Sequence, residues 1–134
     1  MDNFANFSEE FLEEAVLEIL TDMGYETAFG PEISVDGTYP EREDYQDVIL
    51  RNRLWDALQQ LNPDLPEDAL EEAYRKVLIF NSPSLVENNR HFHTLLTEGI
   101  DVTFQKNGDF KTEKAMLIDF EHPERNNFLA VNQF

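Results

Sequence analysis

Apolar residues recur at three- and four-residue spacing near the start of the chain, a pattern typical of a helix with one buried face. Ser8 suits the N-cap of this helix, and Gly24 suits its left-handed end. Glu9 and Glu10 place negative charge in the first turn, where the helix dipole favours it. The pattern therefore predicts a buried stripe composed of Phe11, Leu12, Ala15, Val16, Ile19, Leu20 and Met23.

The stretch that follows is dominated by helical signals. It predicts a strand over 25–29, an irregular segment over 30–42, and helices over 44–61, 66–80 and 85–98. Asn62-Pro63 ends the first of these three helices, Pro66 begins the next, and Gly99 closes the last.

The character changes after Gly99, where strand-like segments replace helical ones. Ile100–Gln105 and Phe110–Phe120 read as strands, and Asn107-Gly108 between them is the preferred two-residue hairpin turn. A final strand is predicted over Phe128–Phe134. The predicted order is helix, strand, three helices, hairpin and strand, which defines an α/β domain of the mixed α+β kind.

The final strand is apolar and β-prone, and open backbone groups on such a strand invite edge-to-edge pairing. We therefore expect the chain to be a piece of a longer protein. The same edge would allow two copies to pair, although the sequence leaves the oligomeric state open.

The acidic residues are concentrated in the first half of the chain. Of the formal net charge of −18, residues 1–72 contribute almost all, with 20 Asp and Glu against 3 Arg, whereas residues 73–134 are nearly neutral. A solvated surface is the simplest interpretation. Because phosphate binding requires Lys and Arg, we expect the chain alone to bind nucleic acid poorly.

Several functional classes are disfavoured by composition. Because the chain has no Cys, it cannot form disulfides or thiolate metal sites. It also has no apolar run long enough to span a membrane. The first residues also lack the basic and apolar segments of a signal peptide. We therefore expect a cytoplasmic protein without a membrane partner.

Most candidate ligand groups have a plain explanation. His91 and His93 are two residues apart, so on a helix they diverge by about 200° and cannot share a metal ion. His122 has no evident partner. One acidic group comprises Glu41, Glu43, Asp44 and Asp47, and it lacks the spacing of a calcium loop. We interpret Asp44 and Asp47 as helix-start charges.

One carboxylate remains, on the first helix. In metal-dependent nucleases, clustered carboxylates hold the divalent cation that activates water, and a helix can contribute one of them. Glu13 could play this part, although a glutamate on an acidic amphipathic helix is more often only part of a solvated face. Glu14 is its immediate neighbour and a competing choice.

Three stretches carry a family resemblance: the opening helix with Gly24-Tyr25-Glu26, the segment Phe92–Val102, and the segment Leu117–Phe134. In this order they resemble the N-terminal region of the R (restriction) subunit of type I restriction–modification enzymes. The resemblance implies a single N-terminal fragment over 1–134, with a restriction-endonuclease-like core, a helical insertion over roughly 44–98, and the hairpin and strand over 100–134.

The resemblance also implies a function for the longer protein. Such an R subunit is an endonuclease of the PD-(D/E)xK type that requires Mg, and its helicase-like motor domains hydrolyse ATP to pull DNA. Its partners are DNA and the specificity and methylation subunits. Glu13 matches the accessory helix carboxylate of such nuclease folds.

The sequence departs from this pattern at the catalytic motifs. Pro63-Asp64 lies between two predicted helices, and Asp109-Phe110-Lys111 lies at a hairpin turn, so neither supplies the Pro-Asp or Glu-x-Lys strand. The fragment is thus truncated before the active-site strands, and we expect it to be inactive alone. The alternative is a stand-alone acidic interaction protein or DNA mimic, suggested by the pI of about 4.2.

Overall fold

A computed structural model describes residues 8–43, 48–79 and 82–133. The chain forms two compact units. The terminal unit comprises Met1–Val48 together with Asn127–Phe134, and the central unit comprises Ile49–Asn126. The elements are helices and two small sheets, which confirms the mixed α+β class. Among the described residues, no helix is long and apolar enough to cross a membrane.

The terminal unit begins with helix α1, Glu9–Asp22. The Ser8 hydroxyl accepts a hydrogen bond from the Phe11 N–H at 3.1 Å, so the predicted N-cap is confirmed. Gly24 has a φ of +99°, a conformation that favours glycine, and it ends the helix as predicted.

The terminal unit also contains a two-stranded parallel sheet. Strand β1, Glu26–Phe29, pairs with the last strand of the chain, Leu129–Asn132, in a register that sets Glu26 beside Leu129. The one-turn helix α2, Gly30–Ile33, follows β1 directly. Parallel pairing requires a crossover connection, and here the whole central unit lies between the two strands in sequence.

The central unit contains three helices and a hairpin. Its helices are α3, Arg51–Leu61, α4, Glu67–Leu78, and α5, Leu85–Glu98; its strands are β2, Ile100–Lys106, and β3, Asp109–Ala115. A 3₁₀ turn over Pro123–Arg125 precedes β4, the strand Leu129–Asn132 named above. Asn107 and Gly108 both have positive φ, which is the geometry of the predicted hairpin turn.

The buried core of the central unit lies between α4 and β2. Alternate residues of β2 (Ile100, Val102 and Phe104) are buried, as period-two alternation requires for a strand with one covered face. Leu58 of α3 is fully buried in the same cluster. The remaining members are Ala69, Leu70, Ala73, Val77 and Ala115.

The predicted buried stripe on α1 is wrong for most of its members. No residue of α1 is buried, and the members of the predicted stripe that are exposed by more than half are Phe11, Leu12, Val16, Ile19 and Met23. Ala15 and Leu20 are only half-buried. Within the terminal unit, α1 lies on β1 and β4, and a sheet of only two strands is too narrow to cover the apolar stripe.

Two element boundaries differ from the prediction by several residues, and one helix was not predicted. The helix predicted over 44–61 begins at Arg51, because the β-branched residues that precede it are poor helix formers; 44–47 lie outside the described residues. The strand predicted to run to Phe120 ends at Ala115. The segment predicted to be irregular contains α2, which has Pro31 in its first turn.

Candidate functional site

The sequence-predicted acid Glu13 lies beside the carboxyl end of β4. Its Oε2 atom accepts a hydrogen bond from Gln133 Nε2 at 3.0 Å, and Asn132 Nδ2 lies 3.5 Å from the same oxygen. The second contact is at the long limit for a hydrogen bond. Glu13 is half-buried, whereas Glu14 is exposed. The fold therefore brings a helix carboxylate to the end of the last strand, where two amides hold it.

Gly30 allows this end of β4 to approach. Gly30 is buried, and a Cβ atom on it would overlap the backbone oxygens of Asn132 and Gln133. Only a residue without a side chain permits such close contact between backbones. The glycine after β1 therefore helps to position the two amides that reach Glu13.

A recess of about 290 Å³ opens on the same side of the terminal unit. Its lining includes three carboxylates, Glu10, Glu14 and Glu32, together with the side chains that hold Glu13. The terminal unit contains fourteen Asp and Glu and a single basic residue, so its net charge is −13. This surface favours cations and repels a phosphate backbone.

The side chains around Glu13 do not form a complete magnesium site by themselves. Asn132 Oδ1 is buried and finds no hydrogen-bond donor among the described residues, so one oxygen acceptor beside Glu13 is unmatched. Carboxylate and amide oxygens suit Mg²⁺, which nonetheless needs near-octahedral coordination. In the described part of the chain, no three His, Cys, Asp or Glu side chains could hold a metal together. Further ligands would have to come from outside these residues.

A second polar centre lies in the loop after β3, in the central unit. Asp119 is 4% exposed, and its Oδ1 accepts the N–H groups of Glu121 and His122 at 3.1 and 2.9 Å. Arg125 donates to the other carboxylate oxygen at 2.9 Å. The His122 N–H is the main cause that lowers the pKa of Asp119; burial opposes this shift, and the Arg125 charge supports it.

Asn126 completes the Asp119 loop. Its side chain accepts the Asp119 N–H at 2.8 Å and donates to the Asp119 carbonyl at 2.8 Å. The loop is thus closed by side chains at both ends. We interpret it as a structural loop of the central unit, closed by its own side chains.

The Asn62 side chain at the end of α3 also binds both backbone groups of a distant residue. This buried side chain accepts the Met116 N–H at 2.7 Å and donates to the Met116 carbonyl at 2.9 Å. Both backbone groups of Met116 are therefore satisfied by a side chain rather than by a neighbouring strand. This exchange gives a physical reason for β3 to end at Ala115.

The histidines do not assemble into a site. His91 and His93 are both exposed on α5, and His122 is 61% exposed, 3.7 Å from the Glu124 carboxylate. The acidic group at 41–47 is only partly within the described residues. Asp109-Phe110-Lys111 lies at the start of β3, beside the hairpin turn, as the sequence indicates.

Sequence reasoning missed Asp119, Asn62 and the amides that hold Glu13. Asp119 has a recognisable local signal, because an Asp followed by a proline-containing turn is typical of a side chain that caps its own loop. The other contacts join residues that are 54 or more positions apart, and nothing local marks them.

Comparison with known proteins now identifies the class to which this chain belongs. Residues 6–134 match the family described as the N terminus of type I restriction enzyme R proteins. The match covers nearly the whole sequence, so the chain belongs to this family, as the resemblance predicted. No solved structure matches the chain.

Two relatives carry names of the same kind. The chain is 35% identical, over 97% of its length, to the endonuclease subunit named for the type I restriction enzyme MjaIXP of Methanocaldococcus jannaschii. It is 34% identical, over 94% of its length, to the HindI endonuclease subunit of Haemophilus influenzae. In each case it spans 12% of the relative's length. Family membership favours an R subunit over a stand-alone acidic interaction protein.

Proposed function

We propose that this chain contributes Glu13 as an accessory carboxylate to the nuclease site of a longer R subunit. The observation that carries the proposal is the position of Glu13, half-buried beside the end of β4 and bound by Gln133 and Asn132. Two amide donors orient the carboxylate, and orientation by neighbouring groups is how supporting residues tune a site.

We propose that the longer protein cleaves DNA in a reaction that requires Mg and follows ATP-driven translocation. Family membership and the names of the relatives support this proposal. The main catalytic Asp and the Glu-x-Lys segment, together with the motor domains that bind ATP, would lie outside this chain. The core would then be restriction-endonuclease-like, with the central unit inserted between β1 and β4.

We further propose that the partners of the R subunit are DNA and the specificity and methylation subunits, and that the protein acts in the cytoplasm. The terminal unit, with its charge of −13, is better suited to a basic protein surface than to a phosphate backbone. Most contacts that bind the DNA backbone would therefore come from other parts of the R subunit.

The test is Glu13→Gln in the full-length R subunit, assembled with its specificity and methylation subunits. We expect DNA cleavage with Mg²⁺ to fall by roughly 10–100-fold, the usual effect of a lost supporting group, while ATP hydrolysis is retained. Glu18→Gln, an exposed glutamate on the same helix, is the matched control. Cleavage at the wild-type rate by Glu13→Gln would remove Glu13 from the site.

A companion experiment addresses the 134-residue chain itself. Incubated with plasmid DNA and Mg²⁺, it should produce no cleavage, because the described residues lack a complete metal site. Cleavage that Glu13→Ala abolishes would show that the chain is a nuclease without further domains.

A further inference from the structure

The outer edge of β3 is an unpaired strand edge. Lys106 and Asp109 flank a two-residue turn and form a hydrogen-bonded pair, so every second residue along β3 faces away from β2. The backbone N–H and C=O groups of Phe110, Thr112 and Lys114 therefore point outward. Among the described residues no backbone group pairs with them, and Asp109–Lys114 are all exposed.

The opposite edge of the same hairpin is covered. Glu72 of α4 accepts the outward N–H of Thr103 at 2.9 Å, and Lys76 donates to the outward carbonyl of Asp101 at 2.7 Å. Lys76 also lies 3.0 Å from the Glu72 carboxylate. One edge of this two-stranded sheet is thus closed by side chains, and the other is open to a partner strand.

The charges along β3 are complementary to a second copy of the same strand. We propose that β3 pairs antiparallel with β3 of a second chain, with the twofold axis at Thr112. This register uses the full strand and makes the outward groups of Thr112 meet those of Thr112 in the second copy. It places Lys111 opposite Glu113 of the second copy, and Glu113 opposite its Lys111, so two opposite-charge pairs form.

The same register accounts for an exposed aromatic residue. Phe110 is 73% exposed, and in the pair it lies opposite Lys114 of the second copy, whose aliphatic stem meets the ring while its ammonium group stays paired with Asp101 of its own chain. Within one chain, Lys111 and Glu113 form no ion pair with other described residues. Parallel pairing would instead set Lys111 beside Lys111. Charged residues on an edge usually prevent pairing; here their alternation selects one register.

The paired form is a four-stranded antiparallel sheet with a small interface. Seven residues from each copy, Asp109–Ala115, take part. An interface of this size falls in the weak class, and we expect a dissociation constant on the order of 10⁻⁴ M.

The test is sedimentation of the 134-residue chain between about 10 μM and about 1 mM. Lys111→Glu and Glu113→Lys each place like charges opposite one another, and each should raise the dissociation constant about tenfold or more. The double variant restores both pairs with the charges exchanged, and it should return to within about threefold of wild type. The single variants change the net charge in opposite directions, so general repulsion between acidic chains would affect them with opposite signs.

Hydrogen exchange provides a second measurement that does not depend on the substitutions. The amides of Phe110, Thr112 and Lys114 should become protected as concentration rises, while circular dichroism confirms that each variant is folded. A chain that stays monomeric to about 1 mM overturns the proposal. So does a dimer that both single variants leave unchanged, because its interface must then lie elsewhere.

Discussion

The two units of this chain differ in how many apolar side chains they bury. The central unit packs α4 on β2 and buries a cluster that includes four large side chains with almost no exposure. The terminal unit has only Gly30 and Ile33 buried among its described residues, and the apolar side of α1 is exposed. The central unit is stabilised by its own core, whereas the terminal unit relies on a helix cap, two parallel strands and local hydrogen bonds.

Charge follows the same division. The central unit balances fourteen acidic residues with nine basic ones, for a net charge of −5, whereas the terminal unit has a net charge of −13. Glu13, the carboxylate proposed for the nuclease site, lies in the more acidic unit, which also has fewer buried residues. Sites that must bind or move are often found in regions of low local stability.

The largest expected effect tests the difference in burial directly. Leu58→Ala removes a fully buried side chain from the central core and should lower the free energy of unfolding by about 2–5 kcal/mol. Val16→Ala, on the exposed face of α1, should change it by less than about 0.5 kcal/mol. Urea denaturation of both variants measures the contrast. Equal losses would mean that the α1 face is buried and that the comparison is wrong.

Asn62→Ala should have the next largest effect. The substitution leaves the N–H and C=O groups of Met116 without their side-chain partner, which costs about 1–3 kcal/mol of unfolding free energy. Asn52→Ala, an exposed position on the same helix, is the control. If thermal denaturation gives the two variants the same stability, water replaces the Asn62 contacts.

The pH dependence of stability should reflect the Asp119 loop. Because the folded-state pKa of Asp119 lies below its ordinary value of 3.8, its contribution is complete above that pH and is lost as the pH falls through the lowered pKa. Glu72, whose pKa is lowered mainly by the Thr103 N–H and then by Lys76, adds a loss of the same sign.

Denaturation at several pH values below about 5 measures this slope. Asp119→Asn should make it shallower, and Asp64→Asn, at an exposed position, is the matched control. An unchanged slope in Asp119→Asn would contradict a carboxylate role in the loop.

The smallest expected effect concerns the charge of α1. Glu18 is four residues from both Glu14 and Asp22, and like charges at this spacing destabilise a helix. Glu18→Lys should therefore raise stability by a few tenths of a kcal/mol, and Glu18→Gln by about half as much. Both gains should shrink in high salt. A loss of stability in Glu18→Lys would show that the acidic surface has stabilising partners.

Local signals predicted much of the fold. Ser8, Gly24 and Gly99 mark helix ends, Asn107-Gly108 marks the hairpin, and α5 has the predicted bounds, because caps and turns depend on adjacent residues. The side of α1 that would be covered could not be derived in this way. The covered area of α1 depends on the number of strands in the sheet beneath it, and the sequence of the helix does not determine that number.

The candidate site was only partly predictable. Only the family resemblance favours Glu13 over Glu14, since nothing in their helix distinguishes the two residues. The structure places Glu13 next to Gln133, which is 120 positions away in the chain. Such a contact results from the pairing of β1 with β4, and that pairing is fixed by the fold as a whole.

The pairing of β1 with β4 also sets an order of folding during synthesis. Glu26 is made early, but its partner Leu129 leaves the ribosome more than a hundred residues later. The central unit is complete before β4 exists and has mostly local contacts, so it can fold first. The terminal unit must wait, because β1 has no partner strand until β4 has been made.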